Sequence, residues 1–179
     1  MIACPEVQRK AQAELDAVVG RHRLPTFADA PRLPYLGAII KEILRWRPVA
    51  PLGVPHASTE DDWYEDMFIP KGTICVPNVF HCNHDRSVFG EDADEFRPER
   101  HLGKEGKLLS LRLKADQGGH VTFGFGRRIC VAKELALESL FITMVRILWA
   151  AKLERCGQDE NGKGVPLDTD MAKVNGLVV

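Results

Sequence analysis

Thr122-Phe123-Gly124-Phe125-Gly126-Arg127-Arg128-Ile129-Cys130 runs directly into Val131 to Trp149, a long apolar stretch with helical periodicity. A glycine-dotted loop ending in a cysteine at a helix start is a place where a thiolate can be stabilised. The unpaired amides and the dipole of a helix N-terminus favour an anion there, and Arg127 and Arg128 add positive charge. A thiolate held in this way is a good metal ligand. Gly124 and Gly126 allow backbone conformations and close approaches that a side chain would block, as a flat cofactor lying against the loop requires. On these residues alone the ordinary alternative, a buried structural cysteine, stays the favoured reading, since free cysteine is among the most buried residue types.

Outward from this junction the chain reads as mainly helical with small β-sheets. Pro5 suits a first helical turn, Val7, Ala11, Leu15 and Val18 recur at helical spacing, and Gly20 is a natural stop. A linker from Arg21 to Pro34 follows. Leu36, Ile39, Ile40, Ile43 and Leu44 then predict a second helix over Tyr35 to Trp46, ended before Pro48. Pro48 to Pro55 cannot be helical. Trp63 to Ile69 and Thr73 to Phe80 read as two strands, joined by a type I turn at Ile69-Pro70-Lys71-Gly72. Asn83 to Gln117 is charged and weakly periodic, which predicts irregular connections with short helical pieces. So long a meander needs something to order it. Strand-like pieces at Lys152 to Cys156 and Gly176 to Val179 close the chain.

Composition narrows the function classes. The 179 residues are 45% hydrophobic, the length and content of one ordinary domain, and 24 Lys+Arg against 25 Asp+Glu give a formal net charge of −1. No overall field favours nucleic acid or an anionic membrane. The five cysteines (Cys4, Cys75, Cys82, Cys130, Cys156) are odd in number and scattered, the pattern of a reducing compartment rather than of a disulfide framework. No run approaches the roughly 18 apolar residues of a membrane span, and no signal peptide is visible at the N-terminus.

Phe123-Gly124-Phe125-Gly126-Arg127-Arg128-Ile129-Cys130-Val131-Ala132 closely resembles the haem-binding loop of the cytochrome P450 family, Phe-x-x-Gly-x-Arg-x-Cys-x-Gly, with Ala132 where the family usually has Gly. Other segments are similar to the family's in the same order. Glu42-Ile43-Leu44-Arg45 looks like its Glu-x-x-Arg, although on a helical wheel this pair lies off the apolar stripe and by itself reads as a solvated ion pair. Phe96-Arg97-Pro98-Glu99-Arg100-His101 resembles its Phe-x-Pro-Glu-Arg-Phe, with His101 in place of an aromatic. Pro51 to His56 resembles the segment bordering the substrate pocket, with Ala57 where many relatives have Arg. Asp66 to Gly72 resembles a family hairpin in which Asp66 stands for a frequent Gly.

The resemblance implies that the whole chain, 1–179, is the C-terminal haem-binding part of a single cytochrome P450 domain, incomplete at both ends. The distal part and the oxygen-activating helix have no match in it. The cofactor implied is haem b with Cys130 as thiolate axial ligand and metal ligand. Phe123 would pack near the sulfur, Gly124, Gly126 and Ala132 would allow close packing, and Arg128 and His56 would contact haem propionates. Glu42, Arg45 and Arg100 would form a buried charge triad pinning the meander to the second helix. The activity implied is insertion of one oxygen atom from O2 into an organic small molecule, with electrons from an NADPH-dependent flavoprotein reductase and no nucleic-acid partner. The parent protein would sit on the cytoplasmic face of the endoplasmic-reticulum membrane, held by an anchor absent from this chain. A thiolate ligand favours O–O cleavage over reversible oxygen carriage.

Other readings carry less. His81, Cys82 and His84 lack the spacing of a zinc site. Gly124-x-Gly126 lacks the rest of a dinucleotide fingerprint, and no phosphate loop occurs. Lys104, Lys107, Arg112, Lys114, Arg127 and Arg128 suggest a basic face for an acidic electron donor, with a solvated charge run as the ordinary alternative. The competing function is a non-catalytic remnant or weak haem-binding fragment, poorly soluble because helix faces lacking their partners expose apolar patches.

Overall fold

The computed structural model describes residues 1–109, 119–154 and 157. The described elements are helices α1 (Pro5–Val18), α2 (Pro34–Trp46), α3 (Val79–Asn83), α4 (Arg86–Phe89) and α5 (Lys133–Ala150), with short strands β1 (His56–Ala57), β2 (Asp62–Tyr64), β3 (Met67–Ile69) and β4 (Ile74–Cys75). The fold is mainly α with two small antiparallel sheets, β1–β4 and β2–β3. The chain divides into two compact units, one of Met1–Lys41, Arg97–Ser110 and Ala132–Val179, the other of Glu42–Phe96 and Leu111–Val131.

In the first unit, α1 and α5 pack through matched apolar stripes. Val7, Ala11 and Leu15 on α1 and Phe141, Val145 and Leu148 on α5 are buried, each set recurring on one helical face. Glutamine side chains fix the register. Gln12 donates from Nε2 to the carbonyls of Leu148 and Ala151, both at 3.0 Å. The nearly buried Gln8 donates to the Leu153 carbonyl at 3.0 Å and accepts from the Leu153 N–H at 2.9 Å. Of the strand-like piece expected at Lys152 to Cys156, the described residues Lys152 to Glu154 are irregular, with both backbone groups of Leu153 paired to the Gln8 side chain. Residues 155–156 and 158–179, which include Cys156 and the Gly176 to Val179 stretch, lie outside the described residues.

Glu14 reaches from α1 to the start of α2, accepting from the Tyr35 and Leu36 N–H groups at 2.9 and 3.0 Å, so one helix caps the next. The Arg21 to Pro34 linker contains a 3-10 helix, Phe27–Arg32, organised by Asp29. The Asp29 side chain is only 1% exposed, and its two oxygens accept from Arg23 at 2.7 and 2.6 Å and from Arg32 at 2.6 Å. The backbone N–H of Thr26 adds a bond at 2.9 Å. These partners, Arg23 first, hold the Asp29 carboxyl far below the usual carboxylate range.

The second unit departs from the strand expectations. Trp63 to Ile69 is two strands rather than one. A two-residue turn at Glu65-Asp66 pairs Tyr64 with Met67 and Trp63 with Phe68. Glu65, with φ 51°, takes the left-handed conformation that tight hairpins need at this place. The turn at Pro70 is shifted by one residue, closed by the Thr73 N–H on the Pro70 carbonyl at 3.1 Å. Gly72 has φ 85° there, which makes it a type II rather than type I turn. It leads into β4, which pairs with β1 (His56 opposite Cys75, Ala57 opposite Ile74) and not with the strand before it. Beyond β4 the predicted strand gives way to α3, because Asn78 caps the His81 N–H at 3.0 Å and starts a helix.

The centre of this unit is Arg45. Glu42 and Arg45 are not the solvated pair that their segment alone suggests; both side chains are fully buried. The five N–H donors of a guanidinium all find acceptors. Arg45 Nε and Nη2 grip the two Glu42 oxygens at 2.8 Å each. Nη1 donates to the carbonyls of Asn83 and Ala93, both at 2.7 Å, and Nη2 also donates to that of Glu95 at 2.9 Å. The arginine stacks over the Phe89 ring at 5.1 Å. Trp46 Nε1 donates to the Asp94 carbonyl at 2.9 Å, a further tie on the same stretch.

Two outcomes follow from these contacts. Asp29→Asn should lower the melting temperature at neutral pH, by about 1–3 kcal/mol in stability. Because the folded carboxyl titrates below its ordinary 3.8, its contribution is complete above that value and fades as pH falls through the folded pKa, so parent and variant melts should converge on acidification below 3.8. Arg45→Lys, which keeps the charge but has no planar fork to reach four partners, should cost about 3–5 kcal/mol in denaturant unfolding; a loss below 1 kcal/mol would contradict the role given to Arg45.

Candidate functional site

Phe123 to Cys130 forms a loop closed on itself. The Cys130 N–H donates to the Phe123 carbonyl at 2.8 Å, and the Gly124 N–H donates to the Val121 carbonyl at 2.8 Å. A 3-10 turn, Gly126–Arg128, fills the interval. Gly124 and Gly126 have φ of 70° and 63°, left-handed values that L side chains rarely adopt. Space is not the constraint, since a Cβ at Gly126 would meet nothing within 4 Å and one at Gly124 only the Arg128 carbonyl oxygen at 3.9 Å. The glycines are required by the turn.

The cysteine stands ahead of the helix rather than in its first turn. Helix α5 begins at Lys133 with Ala132 at the N-cap, and its first bond runs from the Ala136 N–H to the Ala132 carbonyl at 2.9 Å. Cys130 is exposed, with a free thiol. The buried structural cysteine that the residues alone favour is therefore not what this loop builds.

The loop lines a cavity of about 830 Å³ together with β1, β4 and the Pro-rich segment before them. Cys130, Phe123, Gly124, Arg128 and His56 all face it, beside apolar Val54, Val76, Ile129 and Val131. Volumes of roughly 300–1,000 Å³ are usual for small-molecule and cofactor sites. A second, polar cavity of about 530 Å³ shares His56, Arg127 and Arg128 with the first. One apolar hollow holding a thiol thus opens beside a rim carrying a histidine and two arginines.

Of the residues singled out from sequence, Gly126 serves the turn without lining the cavity. Ala132 and Arg100 belong to the other unit, Ala132 as N-cap of α5 and Arg100 in the 3-10 turn Pro98–His101. Lys104 and Lys107 also lie in that unit, the latter paired with Glu105 at 2.7 Å, and Arg112 and Lys114 lie outside the described residues. Two residues went unnoticed. Cys75 lines the same cavity as Cys130, placed there by its pairing with His56. Asn83, read from sequence as the start of a meander, is fully buried and joined to the segment entering the cysteine loop. Neither signal is local, because both depend on partners far along the chain.

Among the described residues no group of three or more His, Cys, Asp and Glu is placed to hold a metal ion, and no helix is long and apolar enough to cross a membrane.

Comparison with known proteins gives this geometry its context. The family model described as Cytochrome P450 matches residues 1–166. A cytochrome P450 monooxygenase of Armillaria gallica is 55% identical over 99% of this chain and 34% of its own length. A second from that fungus is 49% identical over 100% of this chain and 34% of its own length, and cytochrome P450 monooxygenase 58 of Postia placenta 49% identical over 99% and 33%. The chain spans about one third of the length of these curated relatives. With a free thiol at the mouth of an apolar cavity and relatives this similar along nearly all its residues, the chain belongs to the cytochrome P450 family.

Proposed function

We propose that residues 1–179 are the C-terminal, haem-binding part of a cytochrome P450 monooxygenase domain, with Cys130 as the axial ligand of haem b. The family implies a haem cofactor, and the observation that carries the assignment to Cys130 is its exposed thiol in the large apolar cavity. The donor set suits the group. A macrocycle that is apolar over its faces and anionic along one edge fits a hollow lined by Val54, Val76, Phe123 and Ile129 with His56 and Arg128 at its polar side. When bound, haem supplies the chemistry that activates O2 and transfers one of its atoms to an organic substrate.

The residues divide the work. Cys130 would present a thiolate to iron, its backbone fixed by the bond to the Phe123 carbonyl. Phe123 would shield the sulfur from water, while Gly124 and Gly126 give the turn its path and Ala132 keeps the start of α5 small. Arg128 and His56 would pair with propionates and so set the rotation of the macrocycle. Glu42 and Arg45, with Arg100 proposed as the third member of their triad, would fix the framework behind the loop. The parent protein would take an organic small molecule as substrate and electrons from an NADPH-dependent flavoprotein reductase, on the cytoplasmic face of the endoplasmic-reticulum membrane. A chain one third of its relatives' length is expected to take up haem weakly and to show no turnover alone; the alternative, a non-catalytic remnant, has no separate observation in its favour.

Haem reconstitution of the 179-residue chain tests the ligand. The ferrous–carbonyl complex should show the red-shifted Soret band of thiolate ligation, lost in Cys130→Ala and retained in Cys75→Ala, the control that the shared cavity demands. A band that survives in Cys130→Ala, or disappears in Cys75→Ala, overturns the assignment. Turnover by the full-length protein with reductase, O2 and substrate is the separate test of the monooxygenase reading.

A further inference from the structure

We propose that Asn83 is a positioning residue for the thiol loop, acting through Thr122. The inference rests on the reading of Cys130 as a ligand only for its functional meaning; the contacts that carry it are independent of any cofactor. Asn83 has no exposed surface, and its amide is spent on the chain that enters the loop. Its Oδ1 accepts from the Val121 N–H at 2.8 Å and its Nδ2 donates to Thr122 Oγ1 at 2.9 Å. Thr122 Oγ1 in turn donates to the Leu44 carbonyl at 2.6 Å, a group at the end of α2. The Asn83 carbonyl meanwhile accepts from Arg45 at 2.7 Å.

These bonds form one continuous path. Arg45 sets the Asn83 backbone, the Asn83 side chain sets Val121 and Thr122, and the next residue is Phe123, whose carbonyl holds the Cys130 N–H at 2.8 Å. The carboxamide carries its acceptor and its donor on separate atoms, so one short side chain holds Val121 and Thr122 at once. Val121 and Thr122 are also where the Gly124 N–H closes its turn, on the Val121 carbonyl. Loosening this segment would therefore free the loop at its entrance while leaving the Glu42–Arg45 pair and the β2–β3 hairpin intact.

Three variants of the 179-residue chain test this: Asn83→Leu, Thr122→Val and Thr122→Ser. In the haem-free chain, amide exchange over 121–130 should accelerate about ten-fold in Asn83→Leu and Thr122→Val, the effect of stranding one buried polar group, and stay at the parent rate in Thr122→Ser. Exchange over the 62–69 hairpin should not change. In the haem-reconstituted chain, the fraction of ferrous–carbonyl complex with the thiolate band should fall in the first two variants and recover in Thr122→Ser. Exchange over 121–130 within two-fold of the parent in both Asn83→Leu and Thr122→Val overturns the proposal, as does an equal acceleration over 62–69, which would mark a general loss of stability. Should the parent itself show no thiolate band, the ligand reading fails while the exchange result still decides whether Asn83 positions the loop.

Discussion

A guanidinium removed from water must satisfy every donor it carries, and Arg45 does so by holding the chain at three separate points. One carboxylate, Glu42, neutralises it through a two-pronged pair, and the carbonyls of Asn83, Ala93 and Glu95 take the remaining N–H groups. Burying a charge is costly unless pairing and hydrogen bonding are complete, so the segment between α3 and Phe96 has little choice of path once Arg45 is inside. A stretch with almost no regular structure becomes ordered because a buried cation requires its backbone oxygens.

Order at the meander is passed on to the cysteine loop by short polar links rather than by apolar packing. The cysteine loop has few buried side chains: Phe125, Arg127, Arg128, Ile129 and Cys130 are all exposed. What gives it shape is its internal bonds, two left-handed glycines and its attachment at Thr122. A loop built in this way leaves its apolar face and its thiol available, as the proposed cofactor site requires.

The sequence conveyed the three long helices well because their signal is local. Pro5, Gly20, the Leu36 to Leu44 stripe and the apolar run after Cys130 mark α1, α2 and α5 to within about two residues. The strands were misjudged where β-propensity was uniform. Trp63 to Ile69 has no glycine or asparagine to announce a turn, and Glu65 takes the left-handed conformation against its preference, so the hairpin was hidden. Cys130, Glu42 and Arg45 stand out by resemblance; their own neighbourhoods point to a buried thiol and a solvated ion pair, whereas the thiol is exposed and the pair is buried. Cys75 and Asn83 escaped both routes; a cross-strand partner and a backbone cage cannot be seen in a window of a few residues.

The clasp between Gln8 and Leu153 bears on how this polypeptide can be handled. A carboxamide 3% exposed is paired, donor and acceptor together, with one peptide unit just past the end of α5. A version shortened to stop at the helix end would leave that buried amide without either partner. A tag or partner domain fused after residue 154 would leave the clasp whole. The boundary that keeps this pairing is therefore set by a glutamine near the opposite end of the chain.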